Sequence, residues 1–245
     1  MSEDAIINVK DLVKKFGSFI ANDHLTFQVY KGEIFGFLGA NGAGKTTAIR
    51  ILCGLSSPTS GEVSVAGFDA YRQTEKIKQN IGYMSQKFSL YEDLTPMENI
   101  QFYAGIYGMS GKDIRDRSAQ LFKRLGFEEF KTKLIKEIPL GWRQKLAFSV
   151  AIFHRPKIVF LDEPTGGVDP ITRRQFWDLI YQAANDGITV FVTTHYMDEA
   201  EYCNRASIMV DGRIAALDTP LNLIKKYNAN SMDEVFYTLA RTMSK

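Results

Sequence analysis

Cysteine is scarce in this sequence of 245 residues, in which Cys53 and Cys203 are the only two. Two cysteines 150 positions apart (203 − 53) cannot form a disulfide framework, and neither has the neighbours of a metal site. The acidic start lacks the basic and apolar segments of a secretion signal, so we expect a reducing compartment. The longest apolar runs, such as residues 158–161, are far shorter than the roughly 20 residues of a membrane-spanning helix.

An excess of one charge sign is also lacking, because 30 Lys+Arg residues stand against 28 Asp+Glu residues and leave a net charge of +2. Such a balance gives no general attraction to nucleic acid, which we therefore do not expect as a partner. The hydrophobic share of 45% and the charged share of 24% are ordinary for a water-soluble globular protein, which excludes disordered, collagen-like and coiled-coil chains. Internal repeats are absent too.

Short apolar runs and helical patterns alternate along the chain. The first clear run, residues 34–38, is continuously apolar, as expected for a parallel strand buried on both faces. It leads into a glycine-rich turn and then a helix predicted over residues 45–55. Further strands are predicted over residues 62–65, 81–84, 157–161, 188–193, 206–210 and 213–217. This alternation indicates an α/β fold with a mostly parallel sheet covered by helices.

Strand signals disappear between Gln86 and Pro156, where helices are predicted over residues 96–107, 112–125 and 143–153. Thr95 and Glu98 flank Pro96 in the manner of a capped helix start. We therefore expect one domain over residues 1–245, with three parts. These are an α/β core formed by residues 1–86 and 156–218, an inserted helical subdomain over residues 87–155, and a tail of two short helices over residues 219–245.

The glycine-rich turn satisfies the pattern of a phosphate-binding P-loop and lies between a buried strand and a helix, as that pattern requires. Glycines let backbone N–H groups approach phosphate oxygens, and the helix N-terminus adds a favourable dipole. Lys45 is expected to reach the β- and γ-phosphates of a nucleotide, and Thr46 to bind Mg²⁺. The alternative is a chance glycine turn, which the flanking strand and helix disfavour. The predicted nucleotide-binding residues here are Gly39, Asn41, Gly42, Ala43, Gly44, Lys45, Thr46 and Thr47.

Two adjacent carboxylates, Asp162 and Glu163, end the apolar run before Pro164. The carboxyl edge of a parallel sheet is where doubly wound folds place ligand chemistry. Asp162 is therefore predicted to act on Mg²⁺, and Glu163 to be the general base for an attacking water. The alternative is a solvated strand end without function.

With Pro164-Thr165 after the carboxylates and Thr193-Thr194-His195 after the next strand, the chain resembles the ATP-binding subunit of an ABC transporter from about residue 6 to residue 217. The resemblance implies an ABC-type cassette with an N-terminal antiparallel β part. It also implies that Phe16 stacks on adenine, although core packing is an alternative for that side chain. Gln86 would contact Mg²⁺ and the attacking water, and His195 would hold the γ-phosphate.

Two motifs depart from the family pattern. Residues 166–169 match the loop that crosses the dimer interface and ends in Asp169, but Gly166 replaces the usual serine. The family signature Leu-Ser-Gly-Gly-Gln reads Ile-Pro-Leu-Gly-Trp over residues 138–142, while residues 143–147 continue as in the family. Pro139 has neither a hydroxyl nor an N–H group, so a weakened contact to the partner's nucleotide is expected, carried by Gly141 and the helix N-terminus at Trp142. The alternative is a fully working cap built on Gly141 and the N–H groups of Trp142 and Arg143.

The resemblance implies an ATPase that dimerises head to tail around two ATP molecules, with a second ABC ATPase subunit, and powers export through separate integral membrane permease subunits. The permease would dock beside Gln86, near Phe88, Leu90 and Tyr91, and hold the subunit on the cytoplasmic face of the membrane. Two alternatives are open: a soluble ABC ATPase without a transport role, and a dimer that ATP switches with little hydrolysis.

Overall fold

Ten strands form two sheets in the computed structural model, which describes residues 5–86 and 90–243. Phe88 lies outside the described residues. The strands are β1 Ala5–Phe16, β2 Phe19–Tyr30, β3 Ile34–Gly39, β4 Ser60–Val65, β5 Phe68–Asp69, β6 Ile81–Met84, β7 Ile158–Asp162, β8 Thr189–Thr194, β9 Arg205–Val210 and β10 Arg213–Asp218. The predicted α/β class with an antiparallel N-terminal part is confirmed.

The larger sheet has the strand order β10-β9-β3-β8-β7-β6, and only its β9–β10 pair is antiparallel. Every residue of β3, β7 and β8 is buried, which explains why the sequence shows continuous apolar runs there. Parallel pairing also brings the carboxyl ends of β6, β7 and β8 to one edge, with Asp162 opposite Thr193. The site residues that follow these strands therefore meet at that edge.

The smaller sheet has the order β2-β1-β4-β5 and is antiparallel. Its long hairpin β1–β2 is interrupted by irregular pairing, and Asp11 and His24 have φ values of 54° in the left-handed region. Such bulges break the two-residue alternation that identifies a strand, so the hairpin's strands are poorly marked in the sequence. Phe27 from this sheet stacks on Phe35 of the larger one, with 5.8 Å between ring centroids.

The helices are α1 Lys45–Leu52, α2 Thr74–Asn80, α3 Pro96–Ile106, α4 Gly111–Leu125, α5 Leu140–Ala151, α6 Pro170–Asn185, α7 Pro220–Lys226 and α8 Met232–Met243, with 3-10 segments Glu128–Phe130, Ile135–Glu137 and Met197–Tyr202. Thr95 and Glu98 form the predicted capping box of α3. The tail has the two predicted helices.

Two predicted helix bounds differ from the structure by three residues, and the other helix bounds of the core and the insert differ by two residues or fewer. Helix α1 ends at Leu52 rather than residue 55, because Gly54 turns the chain at φ 68°. Helix α5 begins at Leu140 rather than residue 143. Pro139 provides the cap residue in an extended conformation, and its carbonyl accepts hydrogen bonds from the N–H groups of Trp142 and Arg143.

The helical segment formed by α3 to α5 packs against the core at β6. A Cβ on Gly82 would lie 2.1 Å from the carbonyl oxygen of Ala151, so glycine is needed for α5 to approach the strand so closely. His154 stacks on Tyr107 with 3.5 Å between ring centroids, and its Nε2–H donates to the carbonyl of Ile81 at 3.1 Å. These contacts fix the ends of α3 and α5 against the sheet.

Both cysteines are buried, and burial raises the pKa of each thiol. Of the two tryptophans, Trp177 is fully buried, whereas Trp142 is half-buried at the start of α5 and packs against Phe127 and Phe130. Among the helices of the described ranges, none combines the length and apolar character needed to cross a bilayer.

We expect His154 to make the protein less stable in mild acid. Burial lowers the pKa of His154 to about 4. Its buried Nδ1 has no hydrogen-bond partner among the described residues, so an N–H formed there by protonation would lack an acceptor. The unfolded chain takes up that proton near pH 6.5, so the free energy of unfolding falls as the pH decreases from about 6.5 to about 4.

Urea denaturation at pH 7 and pH 5 should show a smaller pH dependence for His154→Gln, by about 1 kcal/mol per pH unit. Glutamine can still donate to Ile81, and His24→Gln on the exposed hairpin is the control. Equal pH slopes for the wild type and His154→Gln would contradict the assignment.

Candidate active site

The P-loop connects the end of β3 to the start of α1, and the β1–β2 hairpin contacts it at Gly44. Gly44 has a φ of 101°, and a Cβ there would lie 2.3 Å from the carbonyl oxygen of Ala21, so only glycine fits. Asn22, which is buried, donates from its side-chain amide to the carbonyl of Gly44 at 3.0 Å. Asn41 and Gly42 lie exposed on the loop, while Ala43 is buried and Thr47 is half-buried in the first turn of α1.

Lys45 is folded back into the loop that precedes it. Its Nζ donates to the carbonyls of Gly39 at 2.7 Å and Ala40 at 3.1 Å, and lies 3.3 Å from Oε1 of Glu163. Burial lowers the pKa of Lys45, and the nearby Glu163 carboxylate opposes that shift. The ammonium group therefore stands inside the loop, at the position from which the predicted phosphate contact would be made.

Asp162 lies buried at the end of β7, between two hydroxyl groups. Its Oδ1 accepts hydrogen bonds from Thr193 at 2.7 Å and from Thr46 at 3.3 Å. Burial raises the pKa of this carboxyl group, while the two threonine hydroxyls act in the opposite direction. The P-loop threonine and the strand-end aspartate thus present oxygen atoms at one point, although α1 and β7 are far apart in sequence.

Glu163 is the residue on which the site converges. Its Oε2 accepts a hydrogen bond from Nε2 of Gln86 at 2.9 Å and lies 3.1 Å from Nδ1 of His195, while its Oε1 faces Lys45. These partners follow β6, β8 and β3, which lie on both sides of the strand β7 that carries Glu163. The predicted residues Gln86, Glu163 and His195 line one cavity of about 250 Å³ together with Leu140 and Gln144 of α5.

The turn that carries Glu163 is strained, since this residue has a φ of 49°. Its N–H donates to the carbonyl and to the hydroxyl of Thr193, both at 3.1 Å. Two residues on, the hydroxyl of Thr165 donates to Oε1 of Glu199 at 2.6 Å. Glu199 is fully buried and lies 3.7 Å from Nε of Arg173. Buried hydrogen bonds on both sides therefore hold the strained turn in place.

Sequence reasoning did not identify Asn22, Arg173 or Glu199 as parts of the site. Asn22 lies in a hairpin whose contact with the P-loop spans 22 positions, and no pattern marks it. Glu199 is a carboxylate in an acidic stretch that reads as solvent-exposed, yet it is fully buried. It lies in the 3-10 segment Met197–Tyr202 that follows His195, and no local pattern in the sequence marks it.

Phe16 lies at the end of β1 with 56% of its surface exposed, and Nζ of Lys14 is 4.9 Å from its ring centroid. Core packing, the alternative for this side chain, is therefore wrong. The hairpin that carries Phe16 is the one that contacts Gly44 through Asn22. An exposed ring beside a phosphate-binding loop is available for stacking on a base.

Gly141 and Asp169 do not join the cluster around Glu163. They line a second cavity of about 370 Å³, together with Pro139, Trp142 and Lys145. Asp169 caps α6 by accepting hydrogen bonds from the N–H groups of Ile171 and Thr172, both at 3.0 Å, and from the Thr172 hydroxyl at 2.6 Å. These bonds hold the pKa of Asp169 below its usual value. A Cβ on Gly141 would lie 2.5 Å from Cγ2 of Thr172, so this glycine also permits close helix packing.

The expected anion-facing groups of α5 need a correction. The N–H groups of Trp142 and Arg143 both donate to the carbonyl of Pro139 at 3.0 Å and are not available to a ligand. The N–H groups that lack an acceptor within the helix are those of its first residues, Leu140 and Gly141. The helix starts earlier than predicted, which moves its dipole end by one turn.

Comparisons with known proteins agree with this geometry. The family described as "ABC transporter" matches residues 22–166. The probable multidrug ABC transporter ATP-binding protein YbhF of Escherichia coli (strain K12) is 44% identical over 248 residues, which cover 99% of this chain and 43% of YbhF. The chain thus spans less than half the length of that relative.

A second relative, the linearmycin resistance ATP-binding protein LnrL of Bacillus subtilis (strain 168), is 32% identical over 228 residues, which cover 93% of this chain and 73% of LnrL. Among solved structures, an ATP-binding cassette in a dimeric post-hydrolysis state bound to ADP and Pi superposes with a TM-score of 0.79. It is 27% identical, and the match covers 87% of this chain and 98% of that one.

We expect the hydrogen bond between Thr165 and Glu199 to stabilise the turn beneath Glu163. Removing the hydroxyl in Thr165→Val should lower the free energy of unfolding by about 1–2 kcal/mol, because a buried acceptor loses its donor. Glu199→Leu should cost about 3 kcal/mol, since it removes the acceptor of the Thr165 hydroxyl and leaves Arg173 paired with the exposed Asp198. Urea denaturation of both single variants and the double variant measures their coupling.

A coupling energy of about 1 kcal/mol between the two positions is the expected result. Thr172→Val serves as a control, since its hydroxyl bonds to Asp169 instead. Strictly additive effects of Thr165→Val and Glu199→Leu would contradict a shared hydrogen bond.

Proposed function

The chain belongs to the ABC transporter ATP-binding family, and on that premise we propose that it binds ATP with Mg²⁺, hydrolyses it to ADP and phosphate, and powers export through a separate membrane permease. The observation that carries the proposal is the convergence of Lys45, Gln86 and His195 on Glu163. A carboxylate among donors from several strand ends is suited to proton transfer beside a phosphate loop.

The phosphates of ATP would lie in the loop over residues 39–46, with Lys45 on the β- and γ-phosphates and Phe16 against the adenine. Thr46 and Asp162 would hold Mg²⁺, with Gln86 as a further contact, and the hydrogen bond between Thr46 and Asp162 supports this because hard oxygen donors already meet there. Bound Mg²⁺ would neutralise charge on the phosphate oxygens.

Glu163 would accept the proton of the water that attacks the γ-phosphorus. The new P–O bond to water forms as the bond to the β-phosphate oxygen breaks, and ADP leaves. Lys45 and Glu163 are paired in the structure, so a γ-phosphate that draws Lys45 away leaves the carboxylate free to act on water. His195, 3.1 Å from the same carboxylate, would turn to the γ-phosphate in that state.

We further propose a head-to-tail dimer. Gly141 and Asp169 line a cavity separate from the P-loop cluster, which supports the idea that they act on a nucleotide held by a second ABC ATPase subunit. In such a dimer the N–H groups of Leu140 and Gly141 would face the partner's γ-phosphate.

A permease would bind next to Gln86 and place the subunit on the cytoplasmic face of the membrane. Tyr91, Phe102 and Ile106 support this location, because they are exposed by 48%, 44% and 65% and form one apolar patch, with the rings of Tyr91 and Phe102 4.9 Å apart. Leu90, also expected at this rim, is buried beneath it. The names of the relatives, multidrug and linearmycin resistance, favour an apolar drug-like cargo moved outward.

The test of the ATPase proposal is Glu163→Gln. Loss of the base should lower kcat by at least about 100-fold, because general base catalysis contributes roughly 10²–10⁴-fold. ATP affinity should stay within about threefold, since the phosphate loop is unchanged, and ATP should shift the protein to a dimer in sedimentation. The control is Glu201→Gln, an exposed acid near the same edge. Unchanged turnover in Glu163→Gln would remove Glu163 from the mechanism.

A second candidate, an ATP-switched dimer with little hydrolysis, is favoured by one observation: Pro139 caps α5 without a hydroxyl or N–H group, and Leu140 exposes 36% of its surface there. If this cap limits turnover, the double variant Pro139→Ser, Leu140→Gly should hydrolyse ATP roughly three- to tenfold faster, or about 1 kcal/mol in the barrier. Steady-state ATPase rates of the homodimer decide. High wild-type turnover with no gain in the double variant would mean that the altered cap functions fully.

A further inference from the structure

A cavity of about 660 Å³ outside the candidate active site lies between α4, α5 and the amino ends of β7 and β8. Lys157 precedes β7 and Ile188 precedes β8, whereas Glu163 and His195 follow the carboxyl ends of the same strands. The cavity is therefore at the opposite edge of the sheet, roughly 20 Å from Glu163 along the strand. Its size is within the usual range of small-ligand sites.

Four cationic side chains line this cleft: Arg117 and Arg124 from α4, and Arg155 and Lys157 from the connection between α5 and β7. Asp186 is the one carboxylate in the lining, so the cleft carries a charge of +3 (4 − 1), against +2 for the whole chain. Within the described part of the chain, none of the four cations forms an ion pair. Their mutual repulsion favours a bound anion.

The position of these cations is partly fixed. Arg117 is half-buried, and its Nη1 donates to the carbonyl of Phe153 at 3.1 Å, which leaves the rest of the guanidinium group directed to the cleft region. Arg155 has a φ of 57°, a conformation that a residue with a side chain rarely adopts. Its strained backbone turns the chain between Ile152, whose carbonyl accepts the Arg155 N–H, and Pro156.

The floor of the cleft is apolar. Leu121, Phe153 and Ile188 line it, with exposed fractions of 6%, 9% and 8%, and Ile152 and Pro156 lie beside them. A simple inorganic anion would contact the cationic side chains but would leave the apolar floor exposed to water. A ligand with an apolar body and an anionic head would satisfy both parts.

We propose that this cleft binds an amphipathic organic anion, a phosphate ester or carboxylate whose apolar chain rests on Leu121, Phe153 and Ile188 while its head meets Arg124 and Lys157. Such a ligand contacts α4 and the strand ends together, and so it joins the helical segment to the sheet. The head group can come from a soluble metabolite or from an acidic phospholipid, and the chemistry of recognition is the same.

The probe is hexyl phosphate, titrated calorimetrically into the whole protein with and without saturating Mg·ADP. Binding should be at least tenfold tighter than that of inorganic phosphate, because only the ester covers the apolar floor, and ADP should leave its Kd within twofold. Displacement of hexyl phosphate by ADP would overturn the proposal, since the anion would then occupy the P-loop.

The variant is Arg124→Glu, Lys157→Glu, and the matched control is Lys112→Glu, an exposed cation on α4 outside the cleft. The double variant should weaken hexyl phosphate binding at least tenfold, and the control less than twofold. The milder pair Arg124→Gln, Lys157→Gln gives the same comparison if charge reversal disturbs folding, which circular dichroism checks. Equal losses in variant and control would overturn the proposal.

Sedimentation with phosphatidylcholine vesicles, with or without 20% phosphatidic acid, distinguishes the two sources. Acid-dependent sedimentation that the double variant loses assigns the head group to a lipid. Binding of hexyl phosphate without such sedimentation assigns it to a soluble ester. An absence of both kinds of binding overturns the proposal.

Discussion

The contact between Lys45 and Glu163 is the interaction on which the rest of the site depends. Each group is almost completely buried, with 4% and 8% of the side chain exposed, and a buried charge is costly unless it is paired. The pair joins α1 to the end of β7 and so fixes the position of the P-loop relative to the carboxyl edge of the sheet. Gln86 and His195 both contact the carboxylate of this pair through its other oxygen.

A second constraint is the backbone of Glu163, which lies in the left-handed region. The turn is largely buried, so its polar groups must find partners within the protein: Thr193 accepts the N–H of Glu163, and Glu199 accepts the Thr165 hydroxyl. Rigid strands on each side make this strain tolerable. The position of the Glu163 carboxylate therefore depends on Thr193, Thr165 and Glu199, whose hydrogen bonds hold the strained turn.

The parts that local patterns specify were predictable from the sequence. The P-loop is a strand, a glycine turn and a helix in succession, and Asp162 and Glu163 follow a buried strand, so both could be assigned without a structure. Contacts between distant segments could not. Asn22 reaches Gly44 from a hairpin whose bulges hide its alternation, and Arg173 meets Glu199 across 26 positions. The start of α5 is another such case, because Pro139 is the cap residue and has no side-chain group that marks a cap in the sequence.

The two tryptophans give the protein an internal optical reporter. Trp177 is sealed in the core and its emission should be insensitive to ligands. Trp142 lies at the mouth of the second cavity, where Nζ of Lys145 is 4.6 Å from its ring centroid and an opposing subunit would cover it. Quenching by iodide, a hydrated anion that reaches only the accessible indole, therefore reports on the state of this surface directly. The proposed association with a second subunit would then be measurable in unlabelled, unmodified protein.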